Sequence, residues 1–262
     1  MQNFFSHTFL QNIWRILPHP DRDVNQWAIE LREITQKKVS FAIIDLDRRE
    51  LKWTASPEGT DWWTSMTGFA NNHIFLHHYR YPELPEPTDL SALDRKTGDL
   101  VWTIPNYVLV RALDEQYIEV ARKHGDGFKY VKCDADEGKI MQGAYAFQNE
   151  NRIIFKQPVR YKEGNIYFER LSTFLQTNFK VNNPICIDYL DCRPYMVFSY
   201  YIYDQDKVVQ YLLVVTDKGA CVIKEMISQE RNGIGQSTIL LKDSTLVYLK
   251  NSTEFKSLKL SQ

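Results

Sequence analysis

Histidine residues are the first side chains in this sequence whose spacing suggests chemistry. His73, His77 and His78 lie in one short apolar stretch, and imidazole is a common ligand of transition metals. On a β-strand, residues i and i+4 share a face while residue i+5 points the other way. His73 and His77 can therefore converge whereas His78 cannot, and no Cys or carboxylate completes the set at local spacing. We expect structural or exposed histidines and no bound metal.

Aspartate residues recur along the chain and resemble a set of catalytic carboxylates. A general acid or base needs a partner and a shifted pKa in a shared cleft. Asp45, Asp94, Asp134 and Asp217 instead follow apolar segments and precede turn residues, where a carboxylate caps its own turn. No GxSxG, glycine-rich phosphate loop or HExxH motif is present. The sequence therefore predicts turns at these positions and no catalytic residue.

A repeated sequence motif predicts the β-strands that carry these residues. Residues 42–53 return as residues 91–102, and in both copies a Trp, Trp53 or Trp102, follows the leading Asp by eight residues. A weaker third copy keeps the Asp and the Gly but has Gln142 in place of the Trp. The motif predicts a hairpin, because an apolar strand is followed by Asp and Gly in a tight turn. Strand repeats with a period near 40 residues are typical of β-propellers.

Spacing of the turns predicts the number of blades. Turns about 44 residues apart indicate an all-β, six-bladed propeller of antiparallel strands that occupies residues 1–262 as a single domain. The fourth turn is expected after a strand over residues 166–172. The N-terminal strand over residues 12–17 is expected to close the ring by joining the last blade, with Trp14 near Leu258. The six predicted turn positions are Asp45, Asp94, Asp134, Ser172, Asp217 and Ser261.

Residues 92–102 resemble the repeat of quinoprotein-type propellers, a family that includes pyrroloquinoline quinone dehydrogenases and an outer-membrane assembly lipoprotein. The resemblance implies that the Trp packs between adjacent blades and that the Asp and Gly shape a turn. Over its whole length the chain is also similar to a small uncharacterised propeller family. The dehydrogenases usually have eight blades, an export signal, paired cysteines and a calcium site, none of which is evident here. We therefore expect no cofactor.

Composition and charge narrow the classes of partner. The chain has 32 basic and 33 acidic residues and a net charge of −1, so no overall field attracts nucleic acid. No segment approaches the roughly 20 apolar residues of a membrane-spanning helix, and the first residues lack a secretory signal. The four cysteines show no recurrent spacing. We expect a cytoplasmic protein that binds neither nucleic acid nor membrane.

Candidate binding residues lie in loops that a propeller gathers on one face. The segments 54–64 and 79–89 combine aromatic, charged and proline residues. Aromatic side chains beside Arg are typical anchors for a protein partner. The alternative is that the two Trp residues of the first segment pack between blades. The candidate residues are Trp62, Trp63, Arg80, Tyr81 and, in a further turn, His124.

Two hypotheses of function follow. The first is a non-enzymatic scaffold that binds a protein or a small ligand on this loop face. The alternative is a hydrolase or lyase with acidic and histidine side chains at the mouth of a central channel, which would require convergent carboxylates, histidines or a metal there.

Overall fold

The computed structural model describes residues 4–81, 83–84, 86–141, 155–231, 233–235 and 237–260. Within these residues, twenty β-strands form five antiparallel sheets, and there is one helix. The chain divides into two compact units, one with residues 1–10 and 155–262 (unit 1) and one with residues 11–154 (unit 2). No described helix has the length and apolar character needed to cross a membrane.

The elements follow one another along the chain with short connections. They are β1 (Phe4–Thr8), β2 (Asn12–Pro18), β3 (Gln26–Glu33), β4 (Lys38–Asp45), β5 (Glu50–Ala55), β6 (Ser65–Ala70), β7 (His73–His78), β8 (Asp89–Asp94), β9 (Leu100–Pro105), β10 (Val108–Ala112), β11 (Tyr117–His124), β12 (Gly127–Asp134), β13 (Val159–Lys162), α1 (Ile166–Phe179), β14 (Cys186–Cys192), β15 (Tyr195–Asp204), β16 (Lys207–Thr216), β17 (Cys221–Arg231), β18 (Leu240–Lys242), β19 (Thr245–Lys250) and β20 (Glu254–Lys259).

Unit 2 consists of three meander sheets in chain order. Their strand orders are β2-β3-β4-β5, β6-β7-β8-β9 and β10-β11-β12. The sheets stack face to face, since Phe41 and Ile43 pack in one apolar cluster with Ile74 of the second sheet. The other face of the second sheet, with Phe75, packs against Ile118 of the third. Because the middle strands are covered on both faces, their sequences are nearly continuous apolar runs.

The Trp residues of the repeat join each sheet of unit 2 to the next. The Trp53 indole N–H donates to the carbonyl of Arg95 at 2.9 Å, and that of Trp102 donates to the carbonyl of Ala135 at the same distance. Each carbonyl belongs to the residue that follows the turn-opening Asp of the next sheet. The ring also covers the glycine of that turn, as Trp53 does with Gly98. Each of these Trp residues therefore packs between one sheet and the turn of the next.

The aspartate turns are confirmed. Asp45, Asp94 and Asp134 each end a strand, and the carboxylate of each accepts the backbone N–H groups two and three residues later. Arg49 takes the left-handed conformation, with φ 57°, that Gly98 takes in the next turn with φ 81°. Asp217 begins the turn between β16 and β17. The predicted turn at Ser261 and the Gln142 position lie outside the described residues.

Unit 1 contains a four-stranded and a five-stranded sheet. The first has the order β1-β20-β19-β18, and the second the order β13-β14-β15-β16-β17. Their facing sides share one core, in which Val214 of the larger sheet lies in the same cluster as Leu246 and Leu258.

The N-terminal strand that pairs with the C-terminal one differs from the expected segment. Phe4 lies across from Leu258 in β20, and Phe5 packs edge-on against Phe255. The segment predicted for this role, 12–17, is instead the first strand of the next sheet, where it pairs with β3. The prediction that residues 12–17 pair with the last strand was wrong, because a shorter and more polar segment upstream supplies this edge strand.

The predicted strand and turn over residues 166–172 are also wrong, because α1 occupies them. The side chain of Asn165 caps the helix by accepting the N–H of Tyr167 at 2.8 Å. Phe168, Leu171 and Leu175 recur at helical spacing and pack against the β13–β17 sheet. Ser172 is therefore a helical residue.

Candidate functional site

The site candidates lie at one end of the sheets of unit 2. We define the loop face as the described residues of segments 34–37, 56–64, 79–88 and 125–126, which connect strands at the end opposite the aspartate turns, together with the strand residues Trp14, Arg15 and Arg32. Antiparallel strands place every second connection at the same end. All five predicted site residues therefore fall on or beside this face.

Arg32 is the centre of the loop face. Glu30 and Arg32 are two residues apart on β3 and share a face of the strand, where the Arg32 Nε and Nη2 atoms lie 2.8 and 2.7 Å from Glu30 Oε1. Both residues are buried. The guanidinium lies between two indole rings, 5.2 Å from the Trp14 centroid and 5.0 Å from the Trp62 centroid. A buried charge is stabilised here by a carboxylate and two π faces.

The same Arg holds the loop that carries Trp62 and Trp63. Arg32 donates to the backbone carbonyls of Trp62 and, at 3.0 Å, Thr64. Asp61 closes the turn, because its carboxylate accepts the N–H groups of Trp63 and Thr64 at 2.9 and 3.0 Å. Trp62 is thus half-buried on Arg32, whereas the Trp63 side chain is left 48% exposed.

Arg80 and Tyr81 lie in the neighbouring loop, directly after β7. Arg80 Nη2 donates to Asp89 at 2.6 Å, and its backbone N–H donates to the Thr88 hydroxyl at 3.0 Å. These bonds tie the two stems of the loop together. Tyr81 is half exposed, and its carbonyl accepts the N–H of Leu84 at 2.9 Å.

Polar contacts of His78, the last residue of β7, reach the end of the 56–64 loop and strand β8. The His78 Nδ1 atom lies 3.4 Å from the Thr64 hydroxyl, and Nε2 lies 2.8 Å from the Ser91 hydroxyl. The pKa of His78 is lowered from its usual value because the ring is buried, and the Asp89 and Asp61 carboxylates oppose this shift without cancelling it. A Ser–His contact is the geometry of an activated nucleophile. Ser91, however, is 1% exposed, so this pair is inaccessible to a substrate.

The other two histidines of the cluster have structural contacts. His77 Nε2 accepts the N–H of Leu109 at 2.9 Å, which requires an unprotonated nitrogen. Burial lowers the pKa of His77 to about 4, and the nearby charges of His78 and Arg15 act in the same direction. His73 is buried, and burial also lowers its pKa. Over the described ranges, no group of three or more His, Cys, Asp or Glu side chains is placed to hold a metal.

His124 lies apart from the other four predicted residues. It is the exposed last residue of β11 and directly precedes the turn, residues 125–126, that connects β11 to β12. The adjacent Lys123 reaches Glu86 of the 79–88 segment, with 3.5 Å between Nζ and Oε2. No hydrogen bond or ring contact joins His124 to the other predicted residues in the part of the chain that the structure describes.

Three residues of the loop face were absent from the predicted site. Trp14, Arg15 and Arg32 belong to strands, whereas the predicted binding residues were drawn from loops and turns. A register shift between Ile13 and Arg15 leaves Trp14 unpaired in β2, with its side chain 59% exposed. The alternation of Glu30 and Arg32 within an apolar strand was the available signal, since buried charges require partners.

Comparison with known sequences identifies no function. The profile of a domain of unknown function, DUF4905, matches residues 20–102. A search of curated proteins gave no match.

Several solved structures are similar to the chain. BamB from Moraxella catarrhalis has 10% identity and a TM-score of 0.35, over 93% of this chain and 84% of BamB. A member of the DUF4221 family from Bacteroides vulgatus has 9% identity and a TM-score of 0.37, over 98% of this chain and 95% of the other. The β-propeller domain of the Trilobed protease from Pyrococcus furiosus has 11% identity and a TM-score of 0.34, over 96% and 68%.

Proposed function

We propose that the protein is a non-enzymatic scaffold whose loop face on unit 2 binds a segment of a partner protein. The observation that carries this proposal is that three exposed aromatic side chains, Trp14, Trp63 and Tyr81, belong to the loop face. Exposed aromatic side chains in a cluster mark interaction surfaces more often than single exposed apolar residues do.

Hydrogen bonds that hold the backbone next to these rings favour a role in binding over a role in packing between sheets. The Asp61 turn fixes the backbone of Trp63, and the Arg80–Asp89 pair fixes the stem before Tyr81. Because these hydrogen bonds form within the chain itself, they reduce the conformational entropy that the two loops lose on association. Large aromatic residues on such a surface are the usual energetic centres of an interface, and their truncation typically costs about 2–4 kcal/mol of binding.

The test is capture of a partner by variants of the full chain. Trp63→Ala and Tyr81→Ala are each expected to abolish recovery of an identified partner in pull-down while leaving the melting temperature nearly unchanged. Tyr203→Ala is the matched control, because Tyr203 is 63% exposed but lies in unit 1. Equal recovery by all three variants, or a large loss of stability in the first two, would show that these rings have no binding role.

The proposal includes an architecture. We propose that the sheets are blades of a six-bladed propeller with quinoprotein-type repeats, folded as one domain over residues 1–262. Support comes from the meander order of the sheets, from the Trp53 and Trp102 contacts, and from the pairing of Phe4–Thr8 with β20. We further propose a cytoplasmic location, with neither a cofactor nor nucleic acid as partner. The balanced net charge of −1 disfavours nucleic acid as a partner.

A further inference from the structure

Three sheets share a charged pair at one position. In each, an Arg on the first strand lies directly across from an acidic residue on the second strand. Cross-strand neighbours of opposite charge stabilise a sheet, so this position has a structural role wherever the two side chains meet. The pairs are Arg15 with Glu30, Arg111 with Glu119 and Arg160 with Asp188.

In two of the sheets the carboxylate holds the Arg across from it. Arg111 Nε donates to Glu119 at 2.8 Å. Arg160 binds Asp188 through two hydrogen bonds of 2.6 and 2.8 Å. Both carboxylates are fully buried, so each needs its guanidinium to offset the loss of water.

In the β2–β5 sheet the carboxylate has other partners. Glu30 Oε1 accepts from Arg32, and Glu30 Oε2 accepts the N–H of Met66 at 2.9 Å. Arg15 donates instead to the carbonyl of Met66, and its side chain is exposed. Within the described residues, no carboxylate lies within 4 Å of the Arg15 guanidinium. Its charge and most of its five N–H donors are therefore directed to solvent.

The surroundings of Arg15 leave its guanidinium available to bind a partner. It directly follows Trp14, whose exposed ring lies 5.2 Å from the Arg32 guanidinium, so an exposed Arg without a carboxylate partner is the chain neighbour of an exposed Trp. The loop 56–64 has two acidic residues, Glu58 and Asp61. The Asp61 carboxylate accepts N–H groups of its own turn, and neither residue forms an ion pair with Arg15 within the described part of the chain. A planar guanidinium binds a carboxylate through two parallel hydrogen bonds.

We infer that Arg15 recognises a carboxylate of the partner segment, and that Trp14 packs against a neighbouring aromatic or aliphatic side chain of that segment. The inference rests on the proposed function and adds the chemistry of the partner, an acidic residue next to a bulky apolar one. Arg15 is then a specificity residue that the Glu30–Arg32 pair has released from the structural contact made by its counterparts.

The experiment uses the full chain and two randomised peptide libraries that differ at one fixed position. One library has a central Phe-Asp and the other a central Phe-Asn, and binding of the enriched peptides is measured by fluorescence anisotropy. We expect enrichment from the Phe-Asp library. We expect Arg15→Gln to weaken these peptides at least about tenfold, because hydrogen bonds to charged groups are among the strongest. Arg48→Gln is the control, since Arg48 is 73% exposed in an aspartate turn.

Each other outcome contradicts the inference. Equal enrichment from the two libraries, no enrichment from either, or unchanged affinity of Arg15→Gln would each show that Arg15 recognises no carboxylate. If Trp63→Ala abolishes partner capture while Arg15→Gln retains it, the binding role of the loop face stands and only the acidic partner is excluded. A melting temperature of Arg15→Gln equal to that of the unmodified chain shows that any loss of affinity comes from the missing charge.

Discussion

The contact between Trp53 and the next aspartate turn gives a sharp prediction at Gly98. A Cβ atom added to Gly98 would lie 2.8 Å from Cε3 of Trp53, and the backbone there has φ 81°. A left-handed Ala costs about 1–2 kcal/mol, and forcing extra volume against a packed ring costs about 1–3 kcal/mol more. Gly98→Ala should therefore lower the free energy of unfolding by roughly 2–5 kcal/mol.

Gly59 supplies a matched control for this substitution. Its φ is 79°, but no atom lies within 4 Å of the added Cβ position, so Gly59→Ala should cost only the backbone part, about 1–2 kcal/mol. Urea denaturation of both variants gives the difference, which is the part due to Trp53. The double variant Gly98→Ala with Trp53→Leu should lose less stability than the sum of the losses measured for the two single variants, because the Leu side chain removes the clash with the added Cβ. Equal destabilisation by Gly98→Ala and Gly59→Ala would refute the Trp-on-turn packing.

Two further predictions concern buried charge. The folded pKa of His77, about 4, lies below its ordinary value of 6.5, so the unfolded chain binds a proton first as pH falls. The free energy of unfolding should decrease by about 2 kcal/mol from this residue between pH 7 and pH 5. Urea denaturation of His77→Gln at both values should show a smaller decrease, and an unchanged decrease would contradict the assignment. Asp188→Asn should cost about 3 kcal/mol, because it leaves Arg160 without its charged partner. Asp191→Asn, at an exposed 3.6 Å pair, should cost less than about 1 kcal/mol. Similar costs for these two variants, measured by thermal denaturation, would show that the Arg160 pair has no special role.

Local chemistry explains which parts of the fold the sequence predicts. The turn at Asp94 depends on a carboxylate two residues before the N–H it accepts and on a glycine four residues later, so both signals lie within one short segment. The strand predicted over 166–172 failed because apolar residues such as Phe168 and Leu175 suit either a strand or a helix in a short window. The cap at Asn165 is the local signal that decides for the helix.

Contacts between distant segments explain what the sequence does not predict. Phe4–Thr8 and Asn12–Pro18 are both short segments of strand character, and only the pairing with β20 or β3 separates their roles. The position of Arg32 between Trp14 and Trp62 depends on residues 18 and 30 positions away. No periodicity within one segment contains that information, so the loop residues of the site were predicted and its strand residues were not.

The binding role of the loop face is tested most directly by photo-crosslinking in cells of the source organism. A photoreactive phenylalanine analogue replaces Trp63 in one variant and the more exposed Tyr203 of unit 1 in another. The proposed function predicts a crosslink at position 63 to one defined protein, mapped by mass spectrometry to a single segment, and its absence at position 203. The same products at both positions, or none at position 63, would contradict it.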